Sequence, residues 1–290
     1  QEAFNQWKSF TPSQRSTALL KFADIILSDS KVLTELEVRE TGKPVAVFRD
    51  GELPFAVDNL RFFAAAARSL EGSSAGVLSQ GFTSIMLKKP LGVVAGIAPW
   101  NFPLIMAIWK FGPALAAGNA MILKPAPQTP STALRLAELA IDAGLPAGLL
   151  NVVTGNAEIG TLLSSHQDIA MVSLTGSTRT GIAVMQNASE TSKRVHLELG
   201  GKAPALVFED ADLDEMARAV ALGATYNSGQ DCTAATRVYI QKSIFEETLQ
   251  KLRSVMTSIK VGDPQDSTTD IGPLISKSHL EKVHTFVTDA

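Results

Sequence analysis

The sequence is poor in the residues that build disulfides and metal sites. It has one cysteine, Cys232, and four histidines in 290 residues, and only 6% of its residues are aromatic. A single thiol cannot form a disulfide within the chain, and its isolation favours a reducing compartment, so we expect a cytoplasmic protein. The histidines, at positions 166, 196, 279 and 284, show no metal-ligand spacing, and we expect no catalytic metal.

The sequence also lacks a strong excess of charge and long apolar runs. The net charge is −3 and the pI is near 5.9, which argues against nucleic acid or an anionic membrane surface as a partner. No apolar run reaches the ~20 residues of a membrane span, and we recognise no signal peptide. A hydrophobic content of 45% with 19% charged residues is instead typical of a soluble globular protein, and the length suggests about two domains.

Two segments concentrate residue types that can do chemistry. Cys232 lies among small polar residues in Asn227-Ser-Gly-Gln-Asp-Cys-Thr, and Glu198 lies beside a Gly-Gly bend at the end of a strand-like run. A lone cysteine is usually a small buried hydrophobe and a lone glutamate a solvated charge. These surroundings instead favour a nucleophile at Cys232 and a general base at Glu198.

The first ninety residues are predicted to be mainly helical. Thr11-Pro12 is a helix start, Gly42-Lys-Pro44 ends a second helix near Glu40, and a third helix covers residues 47–69. Asp58 on that third helix is interpreted as a charge on an exposed face. Residues 71–79 are predicted to be loop and residues 82–88 an edge strand, which Lys88-Lys89 protects.

From Gly92 the pattern alternates between apolar strands and amphipathic helices. Strands are predicted at 92–98, 120–123, 150–153 and 171–174, and helices at 104–117, 132–143 and 159–165. This alternation predicts βαβ units and a parallel sheet, whose ligands bind beyond the carboxyl ends of the strands.

The residues that follow these strands are therefore the candidates for binding. Asn101 can donate to an oxyanion, although the residues alone favour an ordinary asparagine in a turn. Lys124 leaves the second strand at its carboxyl end. Thr175-Gly-Ser-Thr178 opens a helix whose N-terminus offers N–H groups to a phosphate, and Thr154-Gly155 is a weaker signal of the same kind.

After Gly201 the alternation starts again. Strands are predicted at 204–208 and 238–240, and helices at 212–226, 243–259 and 276–290. We place a domain boundary near Gly200, with a first domain over 1–200 and the first part of a second over 201–290. The sequence begins within a helical pattern that has no N-cap and ends within one that has no helix C-terminal signal. We therefore expect a fragment of a longer protein.

Four segments in this order resemble the NAD(P)-dependent aldehyde dehydrogenases. They are Glu198-Leu-Gly-Gly-Lys, Gly229-Gln-x-Cys232, Pro99-Trp-Asn-Phe-Pro103 and Thr175-Gly-Ser-Thr-x-x-Gly181. The separation of the glutamate and the cysteine, 232 − 198 = 34 residues, also looks right for that family. The resemblance runs from near residue 1 to the end of the chain.

The resemblance implies an oxidoreductase with an aldehyde-dehydrogenase-like α/β fold. A Rossmann-type parallel sheet with helices on both faces is followed by the first part of a catalytic α/β domain. Cys232 is then the nucleophile, Glu198 activates the hydrolytic water, and Asn101 with the backbone N–H of Cys232 binds the oxyanion. The family also implies a homodimer or homotetramer, with residues near 70–90 forming an arm that pairs with another subunit.

The implied cofactor is NAD, with NADP kept as an alternative. The family often has a glutamate three residues after the lysine that bonds the adenosine ribose, whereas this chain has Pro127. The residues implied to bind the cofactor are Ile97, Ala98, Pro99, Trp100, Lys124, Gly155, Thr175, Gly176, Ser177, Leu199 and Gly200.

The implied substrate is a small aldehyde. The family's tunnel-lining positions match Phe102, Met106 and Trp109, which are spaced along one helical face. Local sequence around Cys232 looks most like the aminobutyraldehyde and betaine-aldehyde branch, which suggests 4-aminobutanal. Asp231 could favour a cationic substrate, although aspartate also suits a turn.

Three other functions remain open from the residues. In a CoA-acylating relative CoA would resolve the thioester, but such an enzyme needs no base at Glu198. A cysteine hydrolase without a cofactor usually pairs the thiol with a histidine, and none can be assigned here. An inactive or truncated family member with a binding or structural role would keep the fold without turnover.

Overall fold

The computed structural model describes residues 1–290 except 71, 73 and 74. These three belong to the segment predicted to be loop, so that part of the prediction lies outside the described residues. The loop prediction is wrong for Gly76–Ser79, which forms strand β1 and pairs antiparallel with β2, Phe82–Ser84. Gly81 has φ +81° at the hairpin turn, a conformation that glycine adopts without strain. The strand predicted over 82–88 ends at residue 84.

The N-terminal part is helical, as the sequence predicts. Thr11 caps the second helix through a capping box with Gln14, and Gly42 ends the third at φ +73°. The helices are α1 Glu2–Trp7, α2 Pro12–Ser28, α3 Ser30–Thr41 and α4 Leu53–Ala66.

The helix predicted over 47–69 is divided into three parts. A π-helical turn, Val47–Glu52, precedes α4, and a 3₁₀ turn, Ala67–Ser69, follows it. Pro54 lies in the first turn of α4 and has no N–H to continue an α-helical ladder from the preceding residues, which accounts for the break before α4. Asp58 lies on the exposed face of α4, as predicted.

A five-stranded sheet forms the centre of the chain, in the order β5-β4-β3-β6-β7. The pairs β3–β4, β3–β6 and β4–β5 are parallel, which confirms the predicted α/β architecture. The strands are β3 Val93–Ile97, β4 Ala120–Lys124, β5 Leu150–Val152, β6 Met171–Gly176 and β7 Arg194–Leu199.

Two groups of helices pack against this sheet. One group contains α5 and α6, with α2 and α4 packed behind them, and the other contains α7 and α8. The crossover helices are α5 Pro103–Ala116, α6 Ser131–Asp142, α7 Ala157–Ser165 and α8 Thr178–Ser189. Trp7, Phe22 and Phe111 are fully buried, and the rings of Phe22 in α2 and Phe111 in α5 lie 5.5 Å apart, so part of the apolar core lies between these two helices.

A smaller α/β region follows β7. Strands β8 Ala203–Val207 and β9 Ala235–Ile240 pair in parallel, and helices α9 and α10 pack against each other. Asp212 caps α9 by accepting from the backbone N–H groups of Asp214 and Glu215. The helices are α9 Leu213–Thr225, α10 Phe245–Ser258 and α11 Lys277–Thr288.

The chain divides into two compact units. The first contains residues 1–33 and 53–198, and the second contains residues 34–52 and 199–290. Residues 34–52 thus group with the second unit, although sequence order puts them in the first predicted domain. Within the part of the chain that the structure describes, no helix is both long and apolar enough to cross a membrane.

Candidate active site

The carboxyl ends of β3, β4 and β6 lie side by side in the first unit. Ile97 is in register with Lys124 on one side and with Leu174 on the other. The Ala98 N–H donates to the Lys124 carbonyl at 2.9 Å, which continues the pairing one residue beyond β3. The sheet therefore brings together the predicted cofactor residues of three separate segments, those that begin at Ile97, Lys124 and Thr175.

Lys124 is buried at this edge. Its Nζ donates to the carbonyl oxygen of Pro125 at 3.0 Å, and burial lowers the pKa of Lys124. The Lys124 ammonium has three N–H donors, and this hydrogen bond uses one of them. The other two can donate to a neutral hydroxyl. Pro127, three residues later, is exposed and offers no side-chain acceptor.

The residues after β6 have features that fit the phosphates of a dinucleotide. Thr175 is buried, and its Oγ1 has no hydrogen-bond partner. The Ser177 Oγ accepts from the Thr180 N–H at 3.2 Å and so caps α8, whose first-turn N–H groups have no acceptor within the helix. An orphaned hydroxyl beside a capped helix N-terminus is consistent with a bound anionic group.

Gly155, after β5, is confined to glycine by its surroundings. Its φ is +144°, and a Cβ placed there would lie 2.5 Å from Cγ1 of Ile159. Any other residue would force Ile159 to move and would strain the backbone. The loop after β5 therefore stays close to the first turns of α7.

The predicted oxyanion and tunnel residues lie between β3 and the first turns of α5. Asn101 is half-buried in the loop, and Phe102 and Met106 are each 7% exposed. Trp109 is 41% exposed, and its Nε1 donates to Oδ1 of Asn59 in α4 at 3.0 Å. The predicted tunnel positions therefore differ, because Phe102 and Met106 are core side chains whereas Trp109 lines a cavity of about 810 Å³ within the first unit.

Glu198 lies near the end of β7 with polar neighbours that the sequence did not reveal. Its Oε1 is 3.4 Å from Nε2 of His196, whose Nδ1 is 2.9 Å from Oγ of Ser173. The Nζ of Lys110 donates to the same Oγ at 3.0 Å. Burial lowers the pKa of Lys110 to about 8, an effect that the charge of Glu198 partly opposes. The signal in the sequence that could have pointed to these neighbours is Lys110, a lysine inside the apolar run of α5.

The loop before Cys232, in the second unit, has an unusual backbone. Asn227 and Ser228 have φ values of 52° and 60°, and Gly229 follows at 72°. Two successive non-glycine residues in the left-handed region are strained, and such strain persists only where surrounding contacts enforce it.

Hydrogen bonds to residues 272–275 hold this loop. The Ser228 Oγ donates to the Gly272 carbonyl at 3.0 Å, and the Gln230 Oε1 accepts from the Ile275 N–H at 3.0 Å. Gln230 also closes the turn, because its N–H donates to the Asn227 carbonyl at 3.1 Å. The loop that carries Cys232 is therefore held by its own turn hydrogen bond and by two contacts with one neighbouring segment.

Cys232 is half-buried in the turn that leads into β9. The adjacent Asp231 accepts from both the N–H and the Oγ1 of Thr233 at 2.9 Å. These contacts are those of a local Asx turn, so Asp231 has a structural role whether or not it also meets a substrate.

The strand pair β8–β9 brings the segment after Glu198 to the segment that carries the cysteine. A Cβ built on Gly201 would lie 3.6 Å from the carbonyl oxygen of Cys232, and Nε of Arg237 donates to the Lys202 carbonyl at 3.0 Å. Two sequence segments more than thirty residues apart are therefore neighbours within the second unit.

A buried ionic cluster lies in the same unit. The Nζ of Lys43 donates to Oε2 of Glu52 at 2.5 Å and lies 3.9 Å from Oε1 of Glu37, all three side chains being essentially inaccessible. The Tyr226 hydroxyl, at the start of the strained loop, donates to Oε1 of Glu52 at 3.5 Å. Burial raises the pKa of Glu52, and the Lys43 charge opposes this shift. The cluster ties residues 43–52 to the loop. Sequence reasoning missed it because Tyr226 is 174 residues from Glu52 and because no local pattern marks the side chains of Glu37, Lys43 and Glu52 as buried.

The comparisons with known proteins agree with this arrangement. The family model described as the aldehyde dehydrogenase family matches residues 1–290. A betaine aldehyde dehydrogenase of Vibrio vulnificus (strain YJ016) is 44% identical over 280 residues, which are 97% of this chain and 57% of that protein. The chain belongs to the aldehyde dehydrogenase family, and it spans a little over half the length of this relative.

Solved structures give the same result for the fold. The crystal structure of an NADP-dependent enzyme of E. coli superposes with a TM-score of 0.97, and its sequence is 40% identical to this one. The match covers 100% of this chain and 60% of the E. coli chain. The crystal structure of PnpE in complex with nicotinamide adenine dinucleotide is 38% identical with a TM-score of 0.96, and covers 99% of this chain and 59% of its own; PnpE has also been crystallised from Pseudomonas sp. WBC-3.

Proposed function

We propose that the protein oxidises an aldehyde to the carboxylic acid with NAD(P)+. The observation that carries this proposal lies within the second unit, where Gly201, from the Glu198-Leu-Gly-Gly-Lys motif, lies beside the carbonyl oxygen of Cys232 through the pairing of β8 with β9. The strained and doubly held loop around Asn227 to Gly229 supports the same role, since strain of this kind clusters at functional sites.

The cofactor would be held at the carboxyl edge of the sheet. Thr175, Ser177 and the N-terminus of α8 would bind phosphate, and Lys124 would bind a ribose hydroxyl. Ile97 to Trp100 would form the adjoining wall, with Gly155, Gly176, Leu199 and Gly200. When bound, the nicotinamide ring accepts the hydride that leaves the substrate carbon.

The chain's own residues would carry out the remaining steps. The Cys232 thiolate attacks the aldehyde carbon, and Asn101 with the Cys232 N–H donates to the resulting oxyanion. Loss of hydride leaves an acyl group bound to Cys232 as a thioester. Glu198 then takes a proton from a water molecule, which attacks the thioester carbon and releases the acid with the thiolate of Cys232.

The substrate would be an aminoaldehyde such as 4-aminobutanal. The similarity to a betaine aldehyde dehydrogenase supports a cationic aldehyde. Asp231 would attract the substrate's ammonium over several ångströms even while it accepts hydrogen bonds from Thr233. We further propose that the protein works in the cytoplasm as a homodimer or homotetramer, with the β1–β2 hairpin as the pairing arm.

An absorbance assay for reduced nicotinamide tests the proposal. The protein that carries this chain should reduce NAD+ with 4-aminobutanal in the absence of CoA, and added CoA should not accelerate the reaction. A requirement for CoA would show an acylating dehydrogenase instead. Ester hydrolysis without any cofactor-dependent oxidation would show a cysteine hydrolase, and the absence of both activities would show a binding or structural protein.

A further inference from the structure

The contact between His196 and Glu198 is not used by the reaction as proposed. Both residues lie on β7, two positions apart, and therefore on the same face of the strand. The Nε2 of His196 is 3.4 Å from Oε1 of Glu198, and both side chains are about half exposed. A histidine here has a partner on each ring nitrogen, since its Nδ1 is 2.9 Å from Oγ of Ser173.

The neighbours of His196 limit how its ring nitrogens can bond. Lys110 has only donors, so the Ser173 Oγ accepts from its Nζ at 3.0 Å. The Ser173 hydroxyl keeps one proton, which it can donate to Nδ1 of His196, 2.9 Å away. In that arrangement a neutral ring carries its proton on Nε2, the nitrogen that lies 3.4 Å from Oε1 of Glu198. A serine oxygen has two lone pairs, so the alternative tautomer, with the proton on Nδ1, is also compatible with Ser173 but offers Glu198 no donor.

We propose that His196 is a positioning residue that orients the Glu198 carboxylate for its role as the hydrolytic base, and that Ser173 fixes the ring of His196. This inference rests on the proposed function, because it assigns Glu198 the hydrolytic step. A carboxylate near the end of a half-exposed strand can adopt several rotamers. The 3.4 Å contact between Nε2 and Oε1 favours the rotamers that keep it, which leaves the other carboxylate oxygen for water.

The charged groups around His196 favour this pairing. The cavity wall that contains Ser173 and His196 also contains Arg15, Lys88, Lys89, Lys110 and Arg194. All five are cations, and no carboxylate is among the described residues that line this cavity. Glu198, on β7 itself, is therefore the carboxylate that lies beside His196.

Two substitutions separate the two contacts of His196. The amide nitrogen of glutamine in His196→Gln can occupy the place of Nε2 and keep the donor to Glu198. The shorter side chain in His196→Asn reaches only the place of Nδ1 and keeps the contact with Ser173. We expect His196→Gln to stay within about threefold of the parent in steady-state oxidation, and His196→Asn to lose about tenfold, a magnitude typical of a misplaced catalytic group.

The step that slows identifies the role. In His196→Asn the pre-steady-state burst of reduced nicotinamide should keep its rate and amplitude, because only the hydrolytic step uses Glu198. His166→Asn, a surface histidine whose Nδ1 accepts from the Asp168 N–H, is the matched control and should behave as the parent. Equal steady-state rates in His196→Gln, His196→Asn and the parent would overturn the proposal, and so would a loss of the burst in His196→Asn.

A ligand-free measurement distinguishes this inference from the proposed function. Nitrogen chemical shifts of labelled histidine report the tautomer, and we expect the Nε2–H form for His196, with a shift of its signal in Glu198→Gln. An Nδ1–H form, or a signal that Glu198→Gln leaves unchanged, would overturn the inference whatever the activity. Failure of the parent to reduce NAD(P)+ while the Nε2–H signal responds to Glu198→Gln would instead overturn the proposed function, and with it the role of the contact.

Discussion

The two units of the chain keep their candidate residues in place by different means. In the first unit, strands such as β3 and β4 are almost entirely buried, and large side chains including Trp7, Phe22 and Phe111 are fully enclosed. In the second unit the buried apolar residues of α9 are Ala217, Val220 and Ala221, all small or medium in size.

The strands of the second unit show the contrast most clearly. Leu206 of β8 and Tyr239 of β9 are 63% and 53% exposed, so the pair buries little large apolar surface. Polar contacts instead hold the loop of Cys232, through Ser228, Gln230 and the Lys43–Glu52 pair. An apolar core therefore supports the edge proposed to bind the cofactor, whereas hydrogen bonds and a buried ion pair support the loop of the proposed nucleophile.

Removal of the thiol should have the largest effect, because it should abolish oxidation, which needs the second unit, and leave cofactor binding by the first unit unchanged. We expect Cys232→Ala to abolish aldehyde oxidation, because the chain has no second thiol, while NAD+ binding stays within about twofold of the parent. Turnover is measured by absorbance and binding by titration calorimetry. Cys232→Ser is the companion variant, since it conserves shape and should also lose turnover. Oxidation at the parent rate in either variant would contradict the assignment.

Amide exchange should show the difference in core directly. We expect amides of β3, β4 and β6 to exchange at least about tenfold more slowly than those of β8, β9 and α9, because local stability follows buried apolar contacts. Hydrogen exchange followed by mass spectrometry on residues 1–290 makes the measurement. Equal protection in the two sets would mean that the polar contacts of the second unit stabilise it as well as an apolar core would.

The smallest effect is expected from a change at Pro127, near the lysine that we propose binds the adenosine ribose. Pro127→Glu adds a carboxylate that can accept from ribose hydroxyls and repels a 2′-phosphate. We expect the ratio of kcat/KM for NAD+ to that for NADP+ to rise about threefold to tenfold, with NAD+ preferred in both proteins. Gln128→Glu, at the neighbouring exposed position, is the charge-matched control. An unchanged ratio in Pro127→Glu would place the ribose elsewhere.

Periodicity predicted the elements of the sheet well because each is locally determined. Alternating apolar runs and helical patterns located β3 to β6 within a few residues, and glycine or proline marked ends such as Gly42. Strand β1 was missed because it has only four residues, Gly76–Ser79, and is largely exposed, and because its pairing with β2 depends on a turn at Gly81.

The supporting residues of the site were not predictable for a different reason. Lys43 lies in the helix-ending Gly42-Lys-Pro44 and Glu52 in the third predicted helix, and neither pattern shows that the fold buries the two together and places Tyr226 beside Glu52. His196 showed no ligand spacing in sequence, and its contact with Ser173 depends on the pairing of β6 with β7. The candidate catalytic and binding residues lie in recognisable motifs. The residues that support them come from other segments, which only the fold brings together.

The most direct test of the account is the separation of hydride transfer from hydrolysis in Glu198→Gln. Stopped-flow absorbance of the variant with NAD+ and an aldehyde should show a burst of reduced nicotinamide equal to the enzyme concentration. A steady state about 10²-fold to 10⁴-fold slower than that of the parent should follow, which is the range expected for loss of a general base. A variant that loses the burst itself would contradict the account, because Glu198 would then serve the thiol of Cys232 rather than the hydrolytic water.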